Sequence, residues 1–130
     1  MQPQPRKVNV LVVDDHPSFR ATAREVVDST PGFVFAGEAA SGEQALEMIA
    51  ASPQPNLVLM DVRMPGMGGI EAGRKIRRDF PHVEVVVLSQ LRDSDRREVA
   101  AALQCVVVGK ENLSSEFLRA LWQKRAEIDN

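Results

Sequence analysis

Five short runs of valine, leucine and other apolar residues constrain the fold of this chain more than any other feature of its sequence. They span residues 8–13, 33–37, 57–60, 83–88 and 105–108. Because apolar residues occupy successive positions, each run is typical of a strand that is buried on both faces. The segments between the runs have the apolar spacing of helices. The sequence therefore predicts an α/β fold in which a doubly wound, five-stranded parallel sheet is covered by helices on both sides.

The predicted helices have recognisable starts and stops. Pro17 suits the first turn of the first helix, and Ser41 with Gln44 three residues later is a capping-box signal for the second. Pro81 ends the third helix, which follows a loop rich in Met, Pro and Gly. The first helix is expected to begin at Pro17, the second to run from Ser41 to about Ala51, and the third from Ile70 to Asp79. The fourth is expected from Asp93 or Ser94 to about Leu103. The last has Ser114 or Ser115 near its cap and an apolar face made of Leu113, Phe117, Leu118, Leu121 and Trp122.

The size of the chain predicts one domain with a single core, because 130 residues bury enough surface to be stable without disulfides or structural metal sites. Residues 1–7 are predicted to be a flexible leader, and residues 8–130 the folded domain. No run approaches the roughly 20 apolar residues that span a membrane, and the leader lacks the apolar region of a signal peptide. We therefore expect a cytoplasmic protein with no membrane association.

Composition also bears on partners. The formal net charge is −2, whereas a nucleic-acid-binding domain usually carries a basic stripe, so no direct binding to nucleic acid is expected. A local cluster of basic residues at 74–78 is interpreted as a solvated helix face. The single cysteine, Cys105, cannot form an internal disulfide and lies in an apolar run, so we expect a buried structural thiol.

Polar residues lie at the ends of four predicted strands. Asp14 and Asp15 follow the first, Asp61 follows the third, Ser89 follows the fourth, and Lys110 lies two residues beyond the fifth. The carboxyl ends of parallel strands meet at one edge of the sheet, and ligands bind there. Three carboxylates, a hydroxyl and an ammonium at such an edge suit the Mg²⁺-assisted transfer of a phosphoryl group to an aspartate.

The adjacent acids Asp14 and Asp15 should repel each other unless a cation offsets their charge. Mg²⁺ suits that role, because it prefers oxygen ligands and often uses only one or two carboxylates. Alternatively, both acids complement the dipole of the helix that Pro17 opens, and the pair alone does not decide between the two. Asp61 favours the metal site, since it ends a neighbouring strand about 5 Å away and could serve as a nucleophile.

Four motifs in order give the chain a resemblance to a known family. They are Val12 to Pro17, Leu59 to Gly66, Leu88 with Ser89, and Lys110. Over residues 7–126 the chain resembles the receiver domain of two-component response regulators, which has a flavodoxin-like fold with strand order 2-1-3-4-5. Asp-His-Pro after the first strand and Glu111 after Lys110 resemble the NarL/LuxR-type branch of that family.

The resemblance implies a role for each site residue. Asp61 would be the phosphoacceptor, Ser89 would contact the phosphoryl group, and Lys110 would hold it. Asp15 would bind Mg²⁺ directly and Asp14 chiefly through water, and Asp61 with the backbone carbonyl of Arg63 would complete the protein ligands. Arg63 and Leu91 match positions that tune the lifetime of the phosphoryl group.

The resemblance also implies partners. The phosphoryl donor would be a phosphohistidine on a sensor histidine kinase, or a small acyl phosphate, and phosphorylation could promote a homodimer. The domain would accept and slowly lose a phosphoryl group on itself rather than turn over a substrate. Phosphorylation of the domain would control a DNA-binding output half that is absent from this sequence. Alternatively, the chain would be a stand-alone receiver that acts through protein contacts.

Two segments depart from the family pattern. Gly68-Gly69 replaces the usual Gly-Asp-Gly or Asp-Gly, which adds backbone freedom beside Asp61. The segment 103–109 lacks the usual Gly-Ala-x-Gly-aromatic pattern and is about one residue short. Val107 therefore takes the place of an aromatic residue that moves inward on phosphorylation. We expect normal Mg²⁺ binding, but weakened or rerouted switching at the fourth helix and fifth strand.

Two other functions fit the sequence less well. A hydrolase that forms an aspartyl phosphate would need an acid two residues after its nucleophile, and Arg63 stands there. A nucleotide-binding fold would need a glycine-rich dinucleotide fingerprint or a phosphate loop ending in Gly-Lys-Ser/Thr, and the sequence contains neither.

Overall fold

The computed structural model describes residues 7–51, 53–90 and 93–129, and within them the chain forms a parallel sheet with helices on both faces. The strands are β1 (Val8–Val13), β2 (Phe33–Ala39), β3 (Leu57–Asp61), β4 (Glu84–Ser89) and β5 (Val106–Gly109). The helices are α1 (Pro17–Asp28), α2 (Gly42–Ala50), α3 (Gly69–Asp79), α4 (Asp93–Leu103) and α5 (Ser115–Asp129), with a 3₁₀ turn at Lys110–Asn112. The strand order is β2-β1-β3-β4-β5, so the predicted fold is confirmed.

The two faces of the sheet bury separate apolar clusters. Alternate residues along β1 belong to opposite clusters, as period-two side-chain alternation requires: Val10 and Val12 face α1 and α5, whereas Leu11 and Val13 face the other three helices. This arrangement explains why the strands are apolar at successive positions. The apolar face predicted for the last helix packs as expected, and Leu113 joins the same cluster from the turn before α5.

Strand bounds differ from the prediction mainly at β2, which continues to Ala39 rather than ending near Gly37. The pairing of β1 with β2 shifts between Val10 and Leu11, where β2 carries one extra residue opposite its partner. Such a bulge bends a strand without ending it, and a glycine in the sequence is a poor guide to whether the chain stops there. At the other edge, β5 begins at Val106, so Cys105 precedes the strand.

Two helix starts, those of α2 and α5, confirm the predicted caps. The hydroxyl of Ser41 accepts a hydrogen bond from the backbone N–H of Gln44 at 3.1 Å, and the side-chain oxygen of Gln44 accepts one from Ala40 N–H at 2.8 Å. Ser114 caps α5 by accepting from the N–H of Phe117 at 3.0 Å. Of the predicted leader, the structure describes Lys7 alone; residues 1–6 lie outside the described part. None of the described helices is both long enough and apolar enough to cross a bilayer.

Candidate functional site

The carboxyl ends of four strands bring the predicted polar residues to one edge of the sheet. Val13 of β1 pairs with Met60 of β3, so Asp14 and Asp61 follow in neighbouring positions. Ser89 is the last residue of β4 and pairs with Gly109, directly before Lys110. The 3₁₀ turn that follows β5 begins at Lys110 and directs its side chain back over the edge. The predicted convergence of these residues is therefore confirmed by the geometry.

Asp14 is fully buried and is held by Lys110, by Arg20, and by both the backbone N–H and the ring of His16. Its Oδ1 accepts a hydrogen bond from the backbone N–H of His16 at 2.8 Å, and its Oδ2 lies 2.6 Å from Lys110 Nζ. Arg20 Nη1 donates to the backbone carbonyl oxygen of Asp14 at 2.7 Å. Because the carboxylate and the carbonyl are both fixed, Asp14 is a rigid part of the site.

Asp61 lies beside Asp14 and is nearly as buried, with 5% of its surface exposed. Lys110 Nζ lies 3.6 Å from its Oδ2, and the backbone N–H of Arg63 donates to its Oδ1 at 3.4 Å. Burial raises the pKa of the Asp61 carboxyl above its usual value, and the charge of Asp14 raises it further. The Lys110 ammonium and the Arg63 N–H oppose these effects in part. On balance the site disfavours the ionised form of Asp61, and a further cation would stabilise that form.

The loop after Asp61 is held close to its backbone. Gly69 begins α3 and donates its N–H to the carbonyl oxygen of Val62 at 3.0 Å. A Cβ atom at Gly69 would lie well inside van der Waals contact with the carbonyl oxygen of Asp61, whereas one at Gly68 would meet its nearest neighbour at 3.7 Å. Gly69 therefore allows the loop backbone to lie close to the Asp61 carbonyl oxygen. The sequence suggested only that the Gly68-Gly69 pair adds backbone freedom.

The donor set suits a magnesium ion. Asp14, Asp15, His16 and Asp61 each offer a ligand atom, and these atoms all lie within 4.8 Å of one another. The Oδ1 of Asp15 is buried and has no hydrogen-bond donor among the described residues, and the His16 ring nitrogen Nδ1 lies 3.2 Å from it. Buried carboxylate oxygens that lack donors are costly unless a cation approaches them. Because three of the four donors are carboxylates, the residues present fit a hard, oxygen-preferring ion.

Two neighbours of the site, Phe19 and Arg20, carry no sequence signal of a functional role. The ring of Phe19 in α1 lies against Lys110, with Nζ 4.4 Å from the ring centroid. Arg20 joins the ends of β1 and β2, because its Nε also donates to Glu38 at 3.1 Å. Helical spacing predicts burial for Phe19, but no sequence signal specifies which charged group its ring contacts.

Three predicted details stay predictions. Arg63 is exposed directly after the site, and the role of its carbonyl oxygen as a metal ligand is untested. Leu91 lies outside the described residues. Val107 is partly buried against the cluster under α2, α3 and α4, which leaves open how it responds to phosphorylation.

Comparison with known proteins now decides the family. The profile of the response regulator receiver domain matches residues 10–113. The chain belongs to the response regulator receiver family. This receiver domain is 34% identical to the nitrate/nitrite response regulator protein NarL of Escherichia coli K12 over 120 residues, covering 90% of the chain and 54% of NarL. It is also 43% identical to the response regulator UvrY of Escherichia coli O157:H7 over 82 residues, covering 63% of the chain and 37% of UvrY.

Solved structures agree with the sequence relatives. The signal receiver domain of the response regulator called NarL in Mycobacterium tuberculosis superposes with a TM-score of 0.78 at 29% identity, covering 92% of this chain and 96% of that one. A LuxR-family response regulator from Aurantimonas gives a TM-score of 0.80 at 28% identity, covering 93% and 86%. The protein is thus a receiver domain of the NarL/LuxR type, and it spans about half the length, or less, of the curated relatives described above.

Proposed function

We propose that Asp61 accepts a phosphoryl group from a phosphohistidine on a sensor histidine kinase, or from a small acyl phosphate. The observation that carries this proposal is the position of Lys110 Nζ, which lies between two buried carboxylates, 2.6 Å from Asp14 and 3.6 Å from Asp61. An ammonium there neutralises charge where a phosphoryl group on Asp61 would stand.

Transfer requires one bond to form as another breaks. A carboxylate oxygen of ionised Asp61 attacks the phosphorus, and the phosphorus–nitrogen bond to the donor imidazole breaks on the opposite side. The imidazole leaves with the electron pair of that bond and takes up a proton, while Asp61 becomes an acyl phosphate. Lys110 and the buried Ser89 hydroxyl lie at the ends of adjacent strands, and both are proposed to bind the phosphoryl oxygens.

Mg²⁺ is proposed as the cofactor, held by Asp14, Asp15 and Asp61 together with the carbonyl oxygen of Arg63. When bound, it supplies positive charge that offsets the carboxylates and the incoming phosphoryl group. The residues of the chain position the two acids. Arg20 and the backbone N–H of His16 fix Asp14 by hydrogen bonds, and the backbone N–H of Arg63 orients Asp61. Catalysis on this side of the reaction is positioning and charge neutralisation.

The domain is proposed to undergo self-modification rather than to act as a turnover enzyme. The residue two positions after Asp61 is Arg63, which provides no acid or base for hydrolysis of an aspartyl phosphate. Control of transcription through a DNA-binding half, a phosphorylation-dependent homodimer and a cytoplasmic location are proposed for the whole protein from its resemblance to the NarL/LuxR-type branch of the family.

Intact mass spectrometry after incubation with Mg²⁺ and a small acyl phosphate tests the proposal. Wild type should gain one phosphoryl group that is stable in acid and labile in base, and Asp61→Asn should gain none. Asp79→Asn is a matched control, because Asp79 is an exposed aspartate paired only locally with Arg78 at 2.8 Å. Asp79→Asn should label like wild type. Labelling of Asp61→Asn, or no labelling of wild type at any Mg²⁺ concentration, would contradict the mechanism.

A further inference from the structure

His16 places a ring nitrogen among the site carboxylates, although its side chain is otherwise largely exposed. Its backbone is fixed on both sides: its N–H donates to Asp14, and its carbonyl oxygen accepts from the N–H groups of Phe19 and Arg20, each at 3.1 Å. Pro17 follows and restrains the turn further. The ring therefore extends from a backbone segment that hydrogen bonds hold on both sides of His16.

Helix capping does not explain a histidine at this position. His16 is the N-cap of α1, yet its side chain makes no capping hydrogen bond. Ser, Thr, Asp or Asn would stabilise the helix better there, because their short oxygen-bearing side chains accept from the first-turn N–H groups. The imidazole instead turns back toward Asp14 and Asp15. The contacts of the ring are with the acidic pair rather than with the helix that His16 begins.

The distances around the ring match those between neighbouring ligands of one metal ion. Nδ1 forms a hydrogen bond of 3.0 Å with Asp14 Oδ1 and lies 3.2 Å from Asp15 Oδ1. Two ligand atoms about 2.1 Å from an ion, and at right angles, are about 3.0 Å apart. Lys110 contacts the other oxygen of Asp14, Oδ2, so the ring and the ammonium approach opposite sides of that carboxylate. A divalent ion bound between the ring and both acids would replace the hydrogen bond between Nδ1 and Asp14 Oδ1.

We infer that His16 is a metal ligand, and that it gives this site a preference for divalent ions that accept imidazole, such as Co²⁺, Ni²⁺ and Zn²⁺. The inference rests on the Mg²⁺ site proposed above and concerns the choice of metal there. Imidazole nitrogen suits these transition ions, whereas Mg²⁺ prefers oxygen and keeps its waters. The ring adds affinity for the transition ions and almost none for Mg²⁺.

Metal titration of the full 130-residue chain, free of any affinity tag, tests the inference. Calorimetry would measure the Co²⁺ and Mg²⁺ affinities of wild type and of His16→Asn, which keeps a good N-cap but removes the imidazole. His82→Asn is the matched control, because His82 is the second histidine of the chain and is exposed in the turn before β4. Proton NMR with Co²⁺ would report ligation directly, as a large paramagnetic shift of the His16 ring protons.

The ratio of Co²⁺ to Mg²⁺ affinity should fall in His16→Asn by at least the roughly tenfold that even an outer-shell partner contributes. It should stay at the wild-type value in His82→Asn, and Mg²⁺ affinity should be nearly equal in all three proteins. An unchanged ratio in His16→Asn, with Mg²⁺ still bound, would overturn this inference and leave the proposed function intact. If wild type bound neither ion, the proposed magnesium site and the inference would both be wrong.

Discussion

Lys110 Nζ lies 2.6 Å from Asp14 Oδ2, closer than the 3.6 Å that separates it from Asp61 Oδ2. The main ion pair of the lysine is therefore with a proposed metal ligand rather than with the proposed phosphoacceptor. Mg²⁺ and the lysine both offset the charge of Asp14. Binding of the ion therefore weakens the electrostatic attraction between Asp14 and the Lys110 ammonium. Metal binding would in this way free Lys110 to contact a phosphoryl group on Asp61.

Replacing Lys110 by glutamine should destabilise the metal-free protein and strengthen its Mg²⁺ binding. Removing one partner of a buried pair typically costs about 3–5 kcal/mol, because the other charge is left uncompensated. Mg²⁺ should restore more stability to Lys110→Gln than to wild type, since it binds only the folded state. Urea unfolding with and without Mg²⁺ measures both effects.

Lys75→Gln is the control for the Lys110 experiment, because Lys75 forms an exposed pair with Glu71 at 3.7 Å within one helix. Its loss should cost only about 0.3–0.5 kcal/mol and leave the Mg²⁺ response unchanged. Equal unfolding free energies for Lys110→Gln and Lys75→Gln would show that the Asp14 ion pair has no special importance.

Phe19→Leu should slow phosphorylation of Asp61 while leaving Mg²⁺ affinity near the wild-type value. Leucine keeps the site apolar but removes the aromatic face that lies 4.4 Å from Lys110 Nζ, an interaction of about 0.5–2 kcal/mol. The lysine should then be less well positioned, with no direct effect on the carboxylates. Intact mass at successive times after addition of an acyl phosphate gives the rate.

A double-mutant cycle separates positioning of Lys110 from ordinary packing. If Phe19 acts through the lysine, Phe19→Leu should slow phosphorylation much less in a Lys110→Gln background. Phe33→Leu is the matched control, because Phe33 packs in the same apolar cluster and its ring contacts Trp122 at a centroid distance of 6.2 Å. A similar loss of rate in Phe33→Leu would point to a packing effect rather than to the lysine.

The strands and helices were predictable because their signals are local. Apolar runs, Pro17 and the Ser41–Gln44 cap depend on near neighbours in the sequence, and each marks an element where the structure has one. The course of β2 past Gly37 was not predictable, because it depends on how β1 pairs beside it. Backbone pairing across a bulge leaves no distinctive residue in either strand.

The site was predictable as a set of residues but not as a set of contacts. Parallel strands end at one edge, so Asp14, Asp61 and Lys110 could be brought together from the sequence alone. The sequence did not indicate that Lys110 would lie nearer Asp14, or that the His16 ring would turn toward both acids. Those contacts depend on side-chain directions, which follow from the packing of α1 and the turn after β5.

Gly69→Ala should destabilise the protein strongly, whereas Gly68→Ala should be tolerated. A methyl group at Gly69 would overlap the carbonyl oxygen of Asp61, so either the loop or β3 must shift. Overpacking of this kind typically costs about 1–3 kcal/mol, and it should also reduce Mg²⁺ affinity by moving Asp61. At Gly68, φ is −72° and the nearest atom would lie 3.7 Å away. Thermal unfolding and Mg²⁺ titration of both variants compare the two glycines directly, and equal behaviour would contradict the contact.

Gln104→Gly should stabilise the domain. Gln104 has a φ of 51°, the left-handed conformation that follows α4, and a side chain there costs roughly 1–2 kcal/mol. Glycine removes that strain but adds freedom to the unfolded chain, which leaves a net gain of up to about 1 kcal/mol. Ala101→Gly, at an exposed position inside α4, should lose about 1 kcal/mol instead. Chemical denaturation should therefore move the two variants in opposite directions, and a loss of stability in Gln104→Gly would argue against strain at this residue.

Cys105 should react slowly with alkylating reagents and should make stability depend on alkaline pH. Burial raises the pKa of its thiol to about 11, despite the opposing charge of Arg77. At about pH 8 the folded protein should therefore hold roughly a hundredfold less thiolate than an ordinary cysteine, and iodoacetamide should modify it correspondingly slowly. Because the folded pKa exceeds the unfolded one, the contribution to stability is complete below about pH 9 and is lost as pH rises toward 11. Cys105→Ser should unfold with a flatter pH dependence over that window, and an equally steep decline in this variant would assign the effect to another group.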